Sequence, residues 1–284
     1  MQYGMPYMGS KSKIAEWIID ILPEGKVLVD AFGGGGAITH CAFLSGKWDK
    51  VIYNELEPLI VKGFRMAVNG EFKNEDRWVS REMFELLKDE EPYVALCYSF
   101  GNNKEKGYCY SREIEPVKKS LHKAILSKEP KQRRLAFKNC IRLTIEQQQG
   151  VEGLKKIQQF ESLERLERLQ SLERLERLQS LEIIQGSYDD IVIPEGAVIY
   201  CDIPYKNTNE YSTSFDYDEF YEWALNQDSF VFISEYEMPK GFYLVGEQEK
   251  LSTMSSASNS INTVERLFCN KEYKPKKVEQ MSLI

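Results

Sequence analysis

The chain has 284 residues, of which 42% are hydrophobic and 29% are charged, as is ordinary for a globular protein of about two domains. It contains no run close to the ~18 apolar residues of a membrane span, and its start lacks the pattern of a secretion signal. Six cysteines without a Cys-x-x-Cys pair, and only two histidines, argue against a metal site and a disulfide framework. We therefore expect a cytoplasmic protein that needs neither a membrane nor a metal.

The predicted elements near the amino terminus alternate between helices and strands. In chain order they are a helix at 12–21, a strand at 26–30, a glycine turn at 31–36, a helix at 37–45 and a strand at 51–53. This order is typical of the opening of a doubly wound α/β sheet. Residues 64–153 look mostly helical and charged, and strands resume at 197–201 and 229–234. The simplest architecture is one α/β domain divided by a large helical insertion.

One segment of the chain is repeated. The nine residues Ser162–Gln170 recur without change at 171–179, and apolar residues fall at every third position from 154 to 181. An apolar stripe with this spacing winds around an α-helix, whereas it would stay on one face of a 3₁₀-helix. Long 3₁₀-helices are uncommon. The charges have the spacing of favourable α-helical pairs, so we predict an α-helical rod over 154–182. It is either a tolerated spacer or an arm for dimerisation or DNA contact.

The region between Gly101 and Arg142 is basic, although the net charge of the whole chain is −7. It holds 12 Lys and Arg residues against 4 Asp and Glu residues. A basic patch on an acidic protein can attract phosphate groups in one orientation only. The alternative is a solvated helical face, and composition alone does not separate these two interpretations.

A glycine-rich turn, residues 30–36, lies between a predicted strand and a predicted helix. Glycines in this place let the backbone approach a bound adenosine-type cofactor, and Glu55, at the end of the next strand, is placed to bind a ribose hydroxyl pair. Alternatively, the glycines form only a tight bend, and Glu55 is an ordinary surface carboxylate. The sequence has neither the G-x-G-x-x-G spacing expected for NAD nor a P-loop. An adenosine cofactor without a pyrophosphate remains, which indicates S-adenosylmethionine.

The tetrapeptide Asp202-Ile203-Pro204-Tyr205 follows the apolar run at 197–201, which predicts a buried strand. The Asp202 carboxylate can accept a hydrogen bond from an exocyclic amino group. Pro204 favours an extended backbone at Ile203, which directs the Ile203 carbonyl outward. The Tyr205 ring offers a face on which a planar base can stack. These groups predict a site that holds an amino-bearing base while its nitrogen reacts.

In their order along the chain, these elements resemble the D12 class of DNA adenine-N6 methyltransferases, which includes the deoxyadenosine methylases. The aromatic-x-Gly-[Ser/Gly]-Lys element of that family matches residues 7–11, its glycine loop matches 30–36, and its Asp-Pro-Pro-Tyr motif matches 202–205. Residues 99–103 and 232–236 are also similar to stretches of relatives. The resemblance implies a Rossmann-like sheet that uses S-adenosylmethionine, with a mostly helical target-recognition insertion.

The resemblance also implies a role for each matching residue. It assigns catalysis to Asp202, Ile203, Pro204 and Tyr205. It assigns cofactor binding to Tyr7, Gly9, Ser10, Lys11, Asp30, Ala31, Phe32, Gly33, Gly34, Gly35, Glu55, Ser187, Tyr188 and Asp202. The residues expected to contact DNA are Asn102, Asn103, Lys118, Lys119, Arg133 and Arg134. The implied domains are 1–64 with 183–284 for catalysis, 65–153 for target recognition and 154–182 for the repeat.

The implied reaction is methylation of double-stranded DNA, in which the adenine must leave the duplex because its N6 atom is paired inside it. Two residues depart from the family pattern. Ile203 replaces the first proline of the motif and is expected to act through its carbonyl rather than its side chain. Ser187 stands where relatives tend to carry Asp, so which residue near Tyr188 touches the cofactor is open.

Other functions are compatible with the same residues. A cytosine-N4 methyltransferase uses similar chemistry, but it more often carries Ser at the position of Asp202. Protein-glutamine methylation tends to use Asn there, RNA is a further substrate, and a non-catalytic DNA-binding protein on a methyltransferase scaffold is the alternative from another class. The expected setting is a bacterial cell or a phage-infected host, with the protein as a monomer or a weak dimer.

Overall fold

The computed structural model describes residues 2–73, 75–126, 129–146, 175, 178, 181–206, 215–252 and 261–275. The predicted rod at 154–182 lies outside these ranges except for residues 175, 178, 181 and 182. The chain divides into two compact units. The first comprises Met1–Gly4, Lys11–Val61 and Ser180–Ile284, and the second comprises Met5–Ser10 and Lys62–Gln179.

Helices and strands account for much of the described chain. The helices are α1 (Ala15–Ile21), α2 (Ala37–Ser45), α3 (Pro58–Val68), α4 (Arg81–Leu87), α5 (Pro92–Cys97), α6 (Glu115–Leu126), α7 (Pro130–Glu146) and α8 (Tyr217–Leu225). The strands are β1 (Gly25–Asp30), β2 (Trp48–Glu55), β3 (Glu182–Gln185), β4 (Val198–Cys201), β5 (Phe230–Ser234), β6 (Tyr243–Ser252) and β7 (Ile261–Cys269). Among the described residues, no helix is both long enough and apolar enough to cross a bilayer.

The described part of the first unit is built on a seven-stranded sheet, in the order β3-β2-β1-β4-β5-β7-β6. The strands β1 to β5 pair in parallel, whereas β7 is antiparallel to both β5 and β6. Parallel strands are usually buried on both faces. Alternate residues of these strands accordingly enter two apolar clusters: Leu28 and Val51 pack with α1 and α2, and Val29 and Ile52 pack with α8.

The prediction of a mixed α/β fold is confirmed, and the sheet is mostly parallel. The strands β1, β2, β4 and β5 overlap the predicted strands, α2 has the predicted bounds, and α1 begins at Ala15 instead of residue 12. Three strands, β3, β6 and β7, have no counterpart in the predictions. β3 is only four residues long. In the antiparallel strands β6 and β7, polar and charged residues interrupt the apolar ones, so these strands lack the continuous apolar run of a buried parallel strand.

The described part of the second unit is mainly helical, and α4 to α7 lie within 64–153, where the sequence predicts helices, whereas α3 begins earlier, at Pro58 in the first unit. Helices α6 and α7 pack together through Val117, Leu121 and Cys140. The hydroxyl groups of two buried tyrosines satisfy backbone carbonyls ahead of α4: Tyr98 donates to Arg77 (2.9 Å) and Tyr108 donates to Val79 (2.7 Å). These bonds tie the segment before α4 to the chain that follows α5.

Candidate active site

Acidic residues stand at the carboxyl ends of four neighbouring parallel strands in the first unit. Asp30 ends β1, Glu55 ends β2, Asp202 follows β4 and Glu235 follows β5. Because these strands are parallel and adjacent, their carboxyl ends lie along one edge of the sheet. Ligands of open α/β sheets bind outside this edge, so it is the candidate active site.

The glycine loop after β1 packs tightly against the end of β2. The Gly33 amide donates to the Asn54 carbonyl (2.7 Å), and the Tyr53 hydroxyl donates to the Gly34 carbonyl (2.7 Å). A Cβ atom added to Gly33 would lie 2.2 Å from the Tyr53 ring. Gly33 is therefore required by the close approach of β2.

Glu55 turns back onto the glycine loop. Its carboxylate accepts hydrogen bonds from the backbone amides of Gly34 (2.8 Å) and Glu57 (2.9 Å). Burial raises the pKa of the Glu55 carboxyl group above its ordinary value and outweighs these hydrogen bonds, which lower it. The Glu55 side chain therefore lies against the glycine loop, and both belong to the cofactor site predicted from the sequence.

Asp30 is buried beneath the same loop, where its Oδ2 atom accepts hydrogen bonds from the Thr39 amide (3.1 Å) and hydroxyl (2.6 Å). Burial raises the pKa of Asp30 to about 7, and the negative charges of Asp202 and Glu55 add to this rise. Among the described residues, the Oδ1 atoms of Asp30 and Asn54 are buried without a hydrogen-bond partner. Because unpartnered buried acceptors are costly, this edge fits a ligand that presents hydroxyl or amino groups.

Two aromatic rings lie beside the glycine loop. Phe32 and Tyr188 stack, with ring centroids 5.4 Å apart and an interplanar angle of 23°. Tyr188 belongs to a 3₁₀ turn after β3, which is anchored where the Gly186 amide donates to the Glu55 carbonyl (3.2 Å). The fold thus brings Tyr188, and with it the neighbouring Ser187, to the residues predicted to bind the cofactor.

Lys11 and Asp202 form an ion pair, with the Lys11 ammonium 2.8 Å from an Asp202 carboxylate oxygen. The same ammonium lies over the Tyr205 ring, 4.7 Å from its centroid. Burial by itself lowers the pKa of Lys11, but the negative charges of Asp202 and Glu265 outweigh burial and raise it above its ordinary value. Lys11 therefore stays positively charged and contacts two residues of the tetrapeptide.

The tetrapeptide is also held through its backbone. The Tyr217 hydroxyl in α8 donates to the Pro204 carbonyl (2.9 Å), and the Glu235 carboxylate accepts from the Lys206 amide (3.0 Å). The Ile203 side chain is only 2% exposed and belongs to the apolar cluster between the sheet and α8. The expectation that Ile203 matters only through its carbonyl is therefore incomplete, because its side chain also fills the core.

Three residues predicted to bind the cofactor, Tyr7, Gly9 and Ser10, belong to the second unit. The Ser10 amide donates to the Tyr7 carbonyl (3.3 Å), and Gly9 has a φ of 79°, so the segment makes a tight turn. Their part in cofactor binding stays a prediction.

The residues predicted to contact DNA differ in exposure. Lys119, Arg133 and Arg134 are exposed on α6 and α7. Lys118, in contrast, is 4% exposed, and its ammonium lies 5.9 Å from the centroid of the Tyr110 ring. The Lys118 side chain thus belongs to the interior of the second unit, and we leave it out of the predicted DNA-contacting surface.

Asn102 and Asn103 lie in the turn between Tyr98 and Cys109. Asn102 has a positive φ of 58°, a conformation that Asn tolerates better than most residues. The Asn103 side chain accepts from the Glu105 amide (2.9 Å) and caps a 3₁₀ turn. Both asparagines therefore have a local structural role, and their contact with DNA stays a prediction.

The family model of the D12 class N6 adenine-specific DNA methyltransferases matches residues 7–236, which is most of the chain. The chain belongs to this family. A comparison with curated proteins found no match.

Membership in the D12 class makes the chain a DNA methyltransferase that is specific for adenine N6 and depends on S-adenosylmethionine. The resemblance seen in the sequence is therefore confirmed, and the cytosine-N4 and non-catalytic alternatives are not supported. Within the described ranges, no group of three or more His, Cys, Asp or Glu side chains is arranged to hold a metal ion.

The sequence analysis missed two buried carboxylates at the candidate active site of this D12-class chain. Glu235 (2% exposed) lies in a stretch that resembles relatives, but it received no role, and Glu265 (4% exposed) lies in β7, beyond the matched residues. The sequence signal for Glu265 was its spacing from Leu267 and Cys269. Every second residue of a strand lies on the same face, so these three side chains share the buried face of β7. A charged residue in phase with buried apolar residues is a candidate for a role in a site.

Proposed function

We propose that this D12-class enzyme transfers a methyl group from S-adenosylmethionine to N6 of an adenine flipped out of double-stranded DNA, at a specific sequence. The observation that carries the proposal is the contact of Lys11 with both Asp202 and Tyr205 after β4. An aspartate paired with a charged lysine remains an acceptor of hydrogen bonds, and a tyrosine beside it offers a ring for stacking. These are the groups that an exposed adenine amino group requires.

The tetrapeptide acts mainly by positioning the amino group. The Asp202 carboxylate and the Ile203 carbonyl each accept one N6 hydrogen, which draws the nitrogen toward tetrahedral geometry and directs its lone pair out of the ring system. Tyr205 stacks on the flipped base. When bound, S-adenosylmethionine supplies an activated methyl group, whose bond to sulfur breaks as the bond to N6 forms; N6 then releases one proton to water.

The cofactor would be held at the carboxyl ends of β1 and β2. Glu55 suits a ribose hydroxyl pair, and the buried oxygen of Asp30 suits an amino group. The stacked rings of Phe32 and Tyr188 offer apolar surface. The family resemblance adds further residues to this proposed site: Tyr7, Gly9, Ser10, Lys11, Ala31, Gly33, Gly34, Gly35 and Ser187.

We infer that the catalytic domain, residues 1–64 and 183–284, is a Rossmann-like methyltransferase domain, and that 65–153 is its target-recognition insertion. The exposed cations Lys119, Arg133 and Arg134 support contact with DNA phosphates, which provides affinity without sequence information. Asn102 and Asn103 are the candidates for contact with base edges.

The proposal is tested by methyl transfer from labelled S-adenosylmethionine to duplex DNA amplified without modification, followed by sequencing that reads modified bases. We expect N6-methyladenine at one short sequence, and no transfer by Asp202→Ala. Asp228→Ala, at an exposed position before β5, is the matched control and should act like the wild type. Transfer by Asp202→Ala at near the wild-type rate would contradict the mechanism. Failure of the wild type to bind S-adenosylmethionine in calorimetry would contradict the assignment of the cofactor.

A further inference from the structure

The strand β7 places a buried carboxylate against the tetrapeptide. The Tyr205 hydroxyl donates to an oxygen of Glu265 (2.7 Å). Glu265 is 4% exposed, and β7 lies beyond the residues that the family model matches. A glutamate is rarely buried so deeply unless it is paired or hydrogen-bonded, so its place in the site requires an explanation.

Glu265 holds the end of the Tyr205 side chain that lies farthest from the backbone. The backbone itself is held nearby, since Glu235 accepts from the Lys206 amide (3.0 Å). The ring contacts Tyr236 edge to face, with centroids 4.7 Å apart and an interplanar angle of 77°. A bond at the hydroxyl adds control of the ring tilt, because a small rotation about the side-chain bonds moves the hydroxyl farther than any other atom of the ring.

Burial raises the pKa of Tyr205 well above its ordinary value, and the charges of Asp202 and Glu265 raise it further. The phenol therefore stays protonated and continues to donate to Glu265 across the working pH range.

The negative charge of Glu265 also raises the pKa of Lys11, after the larger effect of Asp202. Glu265 therefore contributes to the electrostatics of the same group of residues.

We propose that Glu265 is a positioning residue for the methyl transfer: it fixes the Tyr205 ring through the phenol. The inference rests on the proposed function, in which Tyr205 stacks on the adenine and Asp202 accepts its N6 hydrogen. It adds a strand outside the matched residues to the active site. It also implies that β7 is needed for catalysis as well as for the sheet.

The test compares the full-length wild type with Glu265→Gln, Tyr205→Phe and the double variant, using labelled S-adenosylmethionine and unmodified duplex DNA of mixed sequence. Glu265→Gln keeps the shape of the side chain but removes its charge. We expect Glu265→Gln to lower kcat by about tenfold to a hundredfold. The Tyr205 hydroxyl would lose its hydrogen bond to a charged group, and the base stacked on the ring would be misplaced. Glu249→Gln makes the same change at an exposed site on β6 and should keep the wild-type kcat.

The double variant separates positioning from a general loss of structure. If Glu265 acts through the Tyr205 hydroxyl, Glu265→Gln should lower kcat much less in the Tyr205→Phe background than in the wild type. Thermal unfolding of each variant identifies any loss of fold. The inference is overturned if a folded Glu265→Gln keeps kcat within about twofold of the wild type, or if the two changes multiply independently. Asp202→Ala in the same assay distinguishes the two proposals. If Glu265→Gln is unaffected and Asp202→Ala is inactive, only the inference about Glu265 fails. If Asp202→Ala is active, the proposed function itself is overturned.

Discussion

The ammonium of Lys11 lies 2.8 Å from a carboxylate oxygen of Asp202, at a place where the two side chains are 6% and 23% exposed. This pair joins the segment before α1 to the tetrapeptide after β4. The nearby positive charge favours the charged form of the Asp202 carboxyl group, which only accepts hydrogen bonds. The proposed chemistry at the adenine amino group requires that form.

The first prediction concerns this pair. Lys11→Met should lower the free energy of unfolding by about 3 kcal/mol, because it leaves the negative charges of Asp202 and Glu265 together in a buried place. The quantity to measure is the midpoint and slope of urea unfolding. The double variant Lys11→Met/Asp202→Asn should recover part of the loss, since it removes one of the two charges. A Lys11→Met protein as stable as the wild type would show that the pair contributes little.

A second prediction follows from Asp30, whose pKa is raised to about 7 by burial. The unfolded carboxyl group titrates near its ordinary value of about 3.9, so the folded state binds more protons between these two values. The contribution of Asp30 to stability is therefore full below pH ~4 and is lost as pH rises through about 7. Asp30→Asn should reduce this loss, and it keeps an acceptor for Thr39.

The measurement is urea unfolding of the wild type and Asp30→Asn at pH 5 and pH 8. The wild type should lose more stability than Asp30→Asn over this interval, by on the order of a few kcal/mol. Glu55 and Glu235 also have raised pKa values, so some pH dependence should remain in the variant. Equal losses in the two proteins would mean that Asp30 does not titrate in this range.

A third prediction concerns the glycine loop. Gly33→Ala should lower stability by about 3 kcal/mol and weaken the binding of S-adenosylmethionine, because the added methyl group would meet the Tyr53 ring at 2.2 Å. Gly186→Ala is the matched control near the same edge, since the nearest atoms to its Cβ would be 3.9 Å away. Thermal unfolding and calorimetric titration with the cofactor measure the two effects. Similar results for both variants would mean that the loop has room to shift.

A fourth prediction concerns the exposed cations of α7. If Arg133 and Arg134 each contact one phosphate, their change to Gln should reduce the slope of log affinity for DNA against log salt by about 0.9 for each contact. Fluorescence anisotropy with duplex DNA at several salt concentrations measures this slope. Lys26→Gln, an exposed position at the amino end of β1, should leave the slope unchanged. A slope that is the same in all variants would exclude α7 from the interface.

Local patterns in the sequence were enough to predict the elements that carry most of the site. The apolar runs of β1, β2 and β4, the glycine turn and the tetrapeptide depend on residues close together in the chain, so their spacing is readable without a structure. The position of Glu55 beside the glycine loop was also predictable, because the end of one parallel strand lies beside the loop that follows its neighbour. The antiparallel strands β6 and β7 were not predictable in this way, since their apolar residues are interrupted by polar and charged ones, as in an exposed segment.

Tertiary structure was needed to assign partners to the side chains. In the folded chain, Lys11 forms an ion pair with Asp202, and the Tyr205 hydroxyl donates a hydrogen bond to Glu265. The side chains of Ile203 and Lys118 are buried. Each of these facts depends on residues that are far apart in the chain and meet only when the sheet or the helices pack. The strength of a charge or a hydrogen bond depends on burial as much as on residue type, and burial is a property of the folded chain.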